Sequence, residues 1–131
     1  REITLEEAKD LLGTSFLYFP ETNELTIAYV ERLDLGDEMD RGEITIEYEK
    51  EGLPFLSLSI FETPAELEKE QIESSLHEEP ISFRGIEGQW SEELRLVNWQ
   101  EKGMTYSLIV LDPNLSTDAF QKLLEQLVHF N

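Results

Sequence analysis

Four carboxylates recur at intervals of three residues in one short stretch of the chain, and they are the first candidates for chemistry. Asp34, Asp37, Asp40 and Glu43 lie in the sequence DLGDEMDRGE. Carboxylate oxygens are the ligands that calcium prefers, so the stretch raises the question of a cation site. A calcium hand places ligands at positions 1, 3 and 5 before a central glycine, and this stretch does not. The spacing favours a solvated acidic loop.

The two histidines, His77 and His129, each stand alone in the sequence. HEEP, which begins at His77, lacks the paired histidines that a zinc protease carries on one helical face. His129 is predicted to end the last helix, where a cationic side chain complements exposed carbonyl groups. Neither histidine indicates a metal site.

No catalytic motif is present. The chain has no cysteine, no GxSxG nucleophile turn and no glycine-rich phosphate loop after a predicted strand. Among 29 acidic residues, pairs of carboxylates arise by chance. The sequence therefore predicts neither an enzyme nor a cofactor.

The aromatic residues Trp90, Trp99 and Tyr106 have two interpretations. Trp99 and Tyr106 flank a glycine-containing turn in LVNWQEKGMTYSLIV, residues 96–110. On a strand, an aromatic side chain usually packs under a covering helix, which favours a core role. The alternative is the wall of a groove for an apolar ligand.

Composition and charge restrict the possible partners. The 131 residues suit a single domain, residues 1–131, and their formal net charge is −19. Such a surface repels phosphate, which argues against nucleic acids and anionic lipid headgroups. The simplest role of the acidity is solubility. No apolar run is long enough to span a membrane, and the absence of cysteine suits either the cytosol or the outer face of a single-membrane bacterium.

Periodicity predicts the elements that position these residues. TLEEAKDLLG has capping-box spacing between Thr4 and Glu7 and ends on Gly13, which predicts a short helix. SFLYFP is a brief extended piece, and alternating segments that follow predict strands, including a hairpin from EITIEYEKEG into LPFLSLSIFE. A second hairpin is predicted across EKG, between LVNWQ and MTYSLIV.

Two further helices are predicted. Thr63 and Pro64 are typical of a helix start, and residues 62–79, rich in acids, are interpreted as an exposed helix and connector. Ser116 is the predicted N-cap of a final helix whose apolar stripe reaches Val128. Together these features predict an α+β domain: an antiparallel sheet of about five or six strands covered by N- and C-terminal helices.

The order of these features resembles a family of extracytoplasmic domains of uncharacterised function in Gram-positive membrane-anchored proteins, which include anti-sigma regulators and lipoproteins. The resemblance spans nearly the whole chain and rests on TLEEAKDLLG, FP, EITIEYEKEGLPFLSLSIFE, GIEGQW, LVNWQEKGMTYSLIV and LSTDAFQKLLEQL. It implies a fold akin to lipoprotein-carrier domains, with a curved sheet partly wrapped around helices. It implies no catalytic residues.

Two functions follow as hypotheses. In the first, the chain is a non-enzymatic binding or sensory domain outside the membrane, held by an anchor that precedes Arg1, and its ligand is a protein, a peptide or an apolar component. In the second, it is a soluble cytosolic interaction protein whose acidic segment, residues 62–79, binds a basic partner.

Overall fold

The computed structural model of the chain describes residues 2–34, 42–63 and 78–131. These residues form two helices and nine strands. In chain order they are α1 (Leu5–Leu12), β1 (Phe16–Tyr18), β2 (Leu25–Asp34), β3 (Gly42–Lys50), β4 (Leu53–Glu62), β5 (Glu78–Phe83), β6 (Ile86–Ser91), β7 (Leu96–Glu101), β8 (Met104–Val110), α2 (Thr117–Leu124) and β9 (Val128–Phe130). Neither helix has the length and apolar character needed to cross a membrane, as far as the described residues show.

Seven of the strands form one antiparallel sheet in the order β2-β3-β4-β8-β7-β6-β5, and β1 pairs separately with β9. The predicted α+β class with an antiparallel sheet is confirmed. The predicted cover of the sheet by N- and C-terminal helices differs from the structure, because the strand β1, paired with β9, also bonds to the sheet. The predicted count of five or six strands is too low, because the segment ISFRGIEGQW contains two strands, β5 and β6. The turn Arg84–Gly85 separates them.

Three hairpins of the sheet close with the same kind of two-residue turn. Glu51–Gly52, Arg84–Gly85 and Lys102–Gly103 connect β3 to β4, β5 to β6 and β7 to β8. Both residues of each turn have positive φ, between 50° and 79°. This is the conformation whose twist matches the flanking strands, and glycine adopts it without steric cost. The hairpins predicted at Glu51–Gly52 and Lys102–Gly103 are confirmed.

Helix α1 has the predicted caps at both ends. The Thr4 hydroxyl accepts the Glu7 backbone N–H at 3.1 Å, and the Glu7 carboxylate accepts the Thr4 backbone N–H at 3.2 Å. Gly13 follows the helix with φ of 74°. The reciprocal bonds satisfy donors that have no partner inside the helix.

Helix α2 is shorter than predicted. Ser116 is its N-cap, as expected, but the helix ends at Leu124, and Val128–Phe130 forms β9. β9 pairs antiparallel with β1, and Phe16 stands opposite Phe130. Because this pairing gives the backbone of β1 partners, it outweighs the helical periodicity of the sequence. The prediction that His129 ends the helix is therefore wrong.

The prediction of a helix and connector at residues 62–79 is wrong at both ends of that segment, which belong to strands. Glu62 is the last residue of β4, and the buried Thr63 hydroxyl lies 2.6 Å from the Thr105 hydroxyl. Glu78 and Glu79 belong to β5. Residues 64–77 lie outside the described residues.

The sheet has an apolar face, here called the inner face, and a polar outer face. The buried inner-face side chains are Ile44, Ile46, Tyr48, Leu56, Leu58, Ile60, Ile81, Phe83, Trp90, Val97, Trp99, Tyr106, Leu108 and Val110. On the outer face, uncharged polar side chains stand opposite one another across five strands: Thr45, Ser59, Ser107, Asn98 and Gln89. This alternation is typical of an antiparallel sheet with one solvated face.

Two tyrosine hydroxyls attach β1 to the inner face. The backbone N–H of Leu17 donates to the Tyr106 hydroxyl at 3.0 Å, and that of Phe19 donates to the Tyr48 hydroxyl at 2.9 Å. Both bonds are buried. The β1 segment therefore has hydrogen-bond partners on two sides, the strand β9 and the pair of tyrosines.

We expect Tyr48→Phe and Tyr106→Phe each to lower the free energy of unfolding by about 1–3 kcal/mol, because each leaves a buried backbone N–H without an acceptor. Urea denaturation followed by circular dichroism measures the change. Tyr29→Phe is the matched control, since Tyr29 is 41% exposed, and its effect should stay within about 0.5 kcal/mol. Equal losses in all three variants would contradict the assigned role of the hydroxyls.

Alkaline pH should destabilise the protein through the same two tyrosines. Burial raises the pKa of both Tyr48 and Tyr106 above the ordinary value of 10.0. Their neutral form is therefore favoured in the folded state, and the stability they provide is intact below pH 10 and falls as the pH rises above it. Urea midpoints between pH 8 and 11.5 measure this loss. The fall of the urea midpoint with pH should be smaller in the Tyr48→Phe variant. An unchanged dependence on pH would count against the role given to the buried tyrosines.

Candidate functional site

A groove of about 540 Å³ lies at one end of the sheet, between the β3–β4 turn and the loop that follows β8. We call it the turn groove. Its lining residues are Lys50, Glu51, Leu53, Pro54, Phe55, Leu111, Asp112, Pro113 and Asn114. Its volume lies in the range of roughly 300–1,000 Å³ that is usual for small-molecule sites.

The loop after β8 is held in place by hydrogen bonds. Arg95 donates from Nη2 to the backbone carbonyls of Asp112, at 3.2 Å, and Leu115, at 2.6 Å. The backbone N–H of Leu111 donates to the carbonyl of Phe55 at 2.9 Å, which joins the two walls of the groove. The Asp112 carboxylate accepts the backbone N–H of Asn114 at 2.9 Å. The wall is thus fixed before any ligand arrives.

Two leucine side chains of the lining are exposed to solvent. Leu53 is 67% exposed and Leu111 is 42% exposed, and Pro54 and Pro113 beside them are exposed as well. Phe55, which also lines the groove, is buried. Contiguous exposed apolar surface is typical of interaction sites in soluble proteins.

The lining contains one cation, Lys50, which contacts the ring of Phe55. The Lys50 ammonium is 5.4 Å from the centroid of the Phe55 ring, within the distance of a cation–π contact. Glu51 and Asp112 are the two acids of the lining. The lining therefore combines apolar side chains with one cation and two carboxylates.

Backbone pairing to a ligand strand is not available at this place. The groove lies at the ends of β3, β4 and β8, and each of these strands already has a neighbour on both sides in the sheet. Adding a strand requires an exposed edge. Recognition in the turn groove must therefore rely on side chains and on the loop backbone.

The aromatic residues singled out in the sequence lie elsewhere. Trp90, Trp99 and Tyr106 are all buried on the inner face. Trp99 stacks on Tyr106 with ring centroids 4.9 Å apart and planes 4° apart, and Trp90 lies 5.0 Å from the ring of Phe120 in α2. Phe83 meets Trp99 edge-on at 5.1 Å. The structure thus places Trp90 against α2, and Trp99 against Tyr106 and Phe83.

Gly88 makes room for this packing. It lies on β6 opposite Ile81, and a Cβ atom built there would come within 2.9 Å of the Asn98 carbonyl oxygen and 3.3 Å of Val97. The Cβ of Trp99 would be 3.4 Å away. A side chain at this position would force the backbone of β7 to move, because packed interiors have little spare volume.

Polar atoms of β7 and β9 meet beside the buried rings. His129 Nε2 lies 3.5 Å from Glu101 Oε1, so His129 of β9 contacts the sheet and not the end of a helix. Within the described part of the chain, the second Glu101 oxygen and the Trp99 indole N–H are buried without a hydrogen-bond partner.

The structure describes only part of the acidic stretch and one of the two histidines. Asp37, Asp40 and His77 lie outside the described residues, while Asp34 ends β2 and Glu43 lies in β3. Burial raises the pKa of Glu43. Within residues 2–34, 42–63 and 78–131, no three His, Asp or Glu side chains are arranged to hold a metal ion.

Sequence reasoning missed the turn groove. Its two walls are about 60 positions apart in the chain, at residues 50–55 and 111–114, and only the β4–β8 pairing brings them together. A partial signal was available, because Leu53 and Pro54 directly follow the Glu51–Gly52 turn, where polar residues are usual.

No protein family, curated protein or solved structure matches this chain. The groove is therefore interpreted from its own geometry.

Proposed function

We propose that the chain is a non-enzymatic binding or sensory domain and that the turn groove is its ligand site. The exposure of Leu53 and Leu111 beside a preformed groove carries this proposal. Burying one leucine side chain completely contributes about 1.5–3 kcal/mol. Leu53 and Leu111 are already partly buried, so covering them supplies only part of that free energy, and further contacts with the lining must offset the cost of association.

The chemistry of the lining supports binding more than catalysis. The nine lining residues include no serine, threonine, cysteine or histidine, so the groove cannot assemble a nucleophile and a histidine base from its own walls. Asp112 is already bonded to the backbone of its own loop. The lining supplies contact area and charge.

We also propose that the domain is displayed outside the membrane and held by an anchor that precedes Arg1. The support is the resemblance of segments such as EITIEYEKEGLPFLSLSIFE to extracytoplasmic domains of membrane-anchored proteins, with a fold akin to lipoprotein carriers. The net charge of −19 is compatible with this position, because it disfavours adhesion of the domain to anionic lipid headgroups.

We expect a fragment mixture to perturb the turn groove in a methyl-labelled NMR spectrum, with the largest shifts at Leu53 and Leu111. Leu53→Ser and Leu111→Ser should each weaken the best fragment at least about fivefold, since removing a central contact costs more than about 1 kcal/mol. Leu33→Ser is the matched control, because Leu33 is 40% exposed on β2, away from the groove. Shifts centred on Leu33, or on the inner face, would refute the assignment of the site.

Protease added to intact cells that make the full-length protein tests its location. The anchored extracytoplasmic form should be degraded before lysis and should sediment with membranes, whereas a cytosolic marker protein should survive. Degradation only after lysis, with the protein in the soluble fraction, would instead support a cytosolic acidic interaction domain.

A further inference from the structure

We infer that the turn groove binds a peptide segment that carries apolar side chains together with at least one positive charge. This inference rests on the proposed function, since it names the ligand class of the same site. It specifies a cationic peptide, whereas the apolar side chains of the lining alone would also accept a neutral or anionic ligand.

The apolar part of the ligand is required by the lining. Leu53 and Phe55 belong to the lining segment at residues 50–55, and Leu111 belongs to the other segment, residues 111–114. Each lining segment also contains a proline, Pro54 or Pro113. The proline backbone is already restricted, so it loses little conformational entropy when a ligand binds. Side chains of similar size, such as leucine or valine, would remove this surface from water.

The position of the groove excludes recognition by strand pairing. It is lined by two chain segments at the end of the sheet, and its neighbouring strands have no free edge. A peptide bound there therefore contacts the lining through its side chains and does not join the sheet.

The positive charge follows from the arrangement of charged groups. The Lys50 ammonium lies over the Phe55 ring, where the ring face already stabilises it. Glu51 lies on the β3–β4 turn, and the Asp112 carboxylate accepts the backbone N–H of Asn114. These two carboxylates outnumber the one ammonium of the lining, so a cationic side chain is favoured over an anionic one, which also meets the field of a protein with net charge −19.

A pair of matched peptides tests the inference. Both contain eight residues with the same leucines and prolines, and they differ only in two lysines or two glutamates. Calorimetry with the intact protein should show the lysine peptide binding at least about tenfold more tightly at low salt, and the ratio should shrink at 0.5 M NaCl.

Variants separate the two parts of the recognition. Glu51→Gln and Asp112→Asn should each weaken the lysine peptide about two- to fivefold and leave the glutamate peptide unchanged or tighter. Leu111→Ser should weaken the lysine peptide at least about fivefold. Glu6→Gln, at an exposed position in α1, and Leu33→Ser are the matched controls and should change neither affinity.

The outcomes distinguish the inference from the proposed function. Equal affinities for the two peptides, both lowered by Leu111→Ser, would overturn the cationic preference and leave the groove as a binding site. Fragments that bind the groove while neither peptide does would overturn the peptide class. Peptide binding that is insensitive to the leucine and carboxylate variants would overturn the inference.

Discussion

The arrangement of the described residues depends on how the backbone of β1 is satisfied over an apolar surface. An extended segment laid on the inner face of a sheet carries N–H groups away from water, and each buried N–H without a partner costs free energy. β9 supplies partners along one side, and the hydroxyls of Tyr48 and Tyr106 supply two on the other. This explains why two tyrosines occupy positions on β3 and β8 whose neighbours are isoleucine and leucine. It also explains why the last residues leave the helical conformation.

The same constraint decides where a ligand can bind. β1, β9 and α2 contact the inner face through buried bonds and rings, and the aromatic side chains that form a plausible platform in the sequence are engaged there by one another. Trp99 contacts Tyr106 and Phe83, and Trp90 contacts Phe120. The outer face carries hydroxyl and amide side chains that suit water. Exposed leucines beside a preformed concave surface occur instead at the sheet end, where turns and loops meet. Leu53 is the first residue of β4 and Leu111 directly follows β8, so both lie at strand ends, beside the turn and the loop.

The sequence predicts local structure well and long-range structure less well, for physical reasons. The Thr4–Glu7 capping box and the Glu51–Gly52 and Lys102–Gly103 turns each depend on neighbouring residues, and each prediction is confirmed. Arg84–Gly85 carries the same turn signal, but the short apolar runs beside it read as one strand. The end of α2 could not be predicted from periodicity, because pairing with a strand more than 100 residues earlier overrides it. The turn groove depends on the β4–β8 register, which no local pattern encodes. The location of the protein, outside or inside the cell, is not a property of the fold.

Charge and apolar contact act at different ranges in the proposed recognition, and this gives the acidity a role beyond solubility. Glu31, Glu43, Glu47 and Glu49 lie along β2 and β3 on the sheet, and the influence of Glu47 is the largest cause that raises the pKa of Tyr29. Glu47 is paired directly with Tyr29, so that effect is local, but the net charge of −19 also produces a field in solution that attracts cations over about one Debye length, ~8 Å at physiological salt. This field cannot choose among cationic ligands, because it is diffuse. The choice falls to the leucines and prolines of the groove, which act only on contact. Long-range attraction raises the rate of encounter, and short-range burial sets the residence time, so the two features are complementary and neither substitutes for the other.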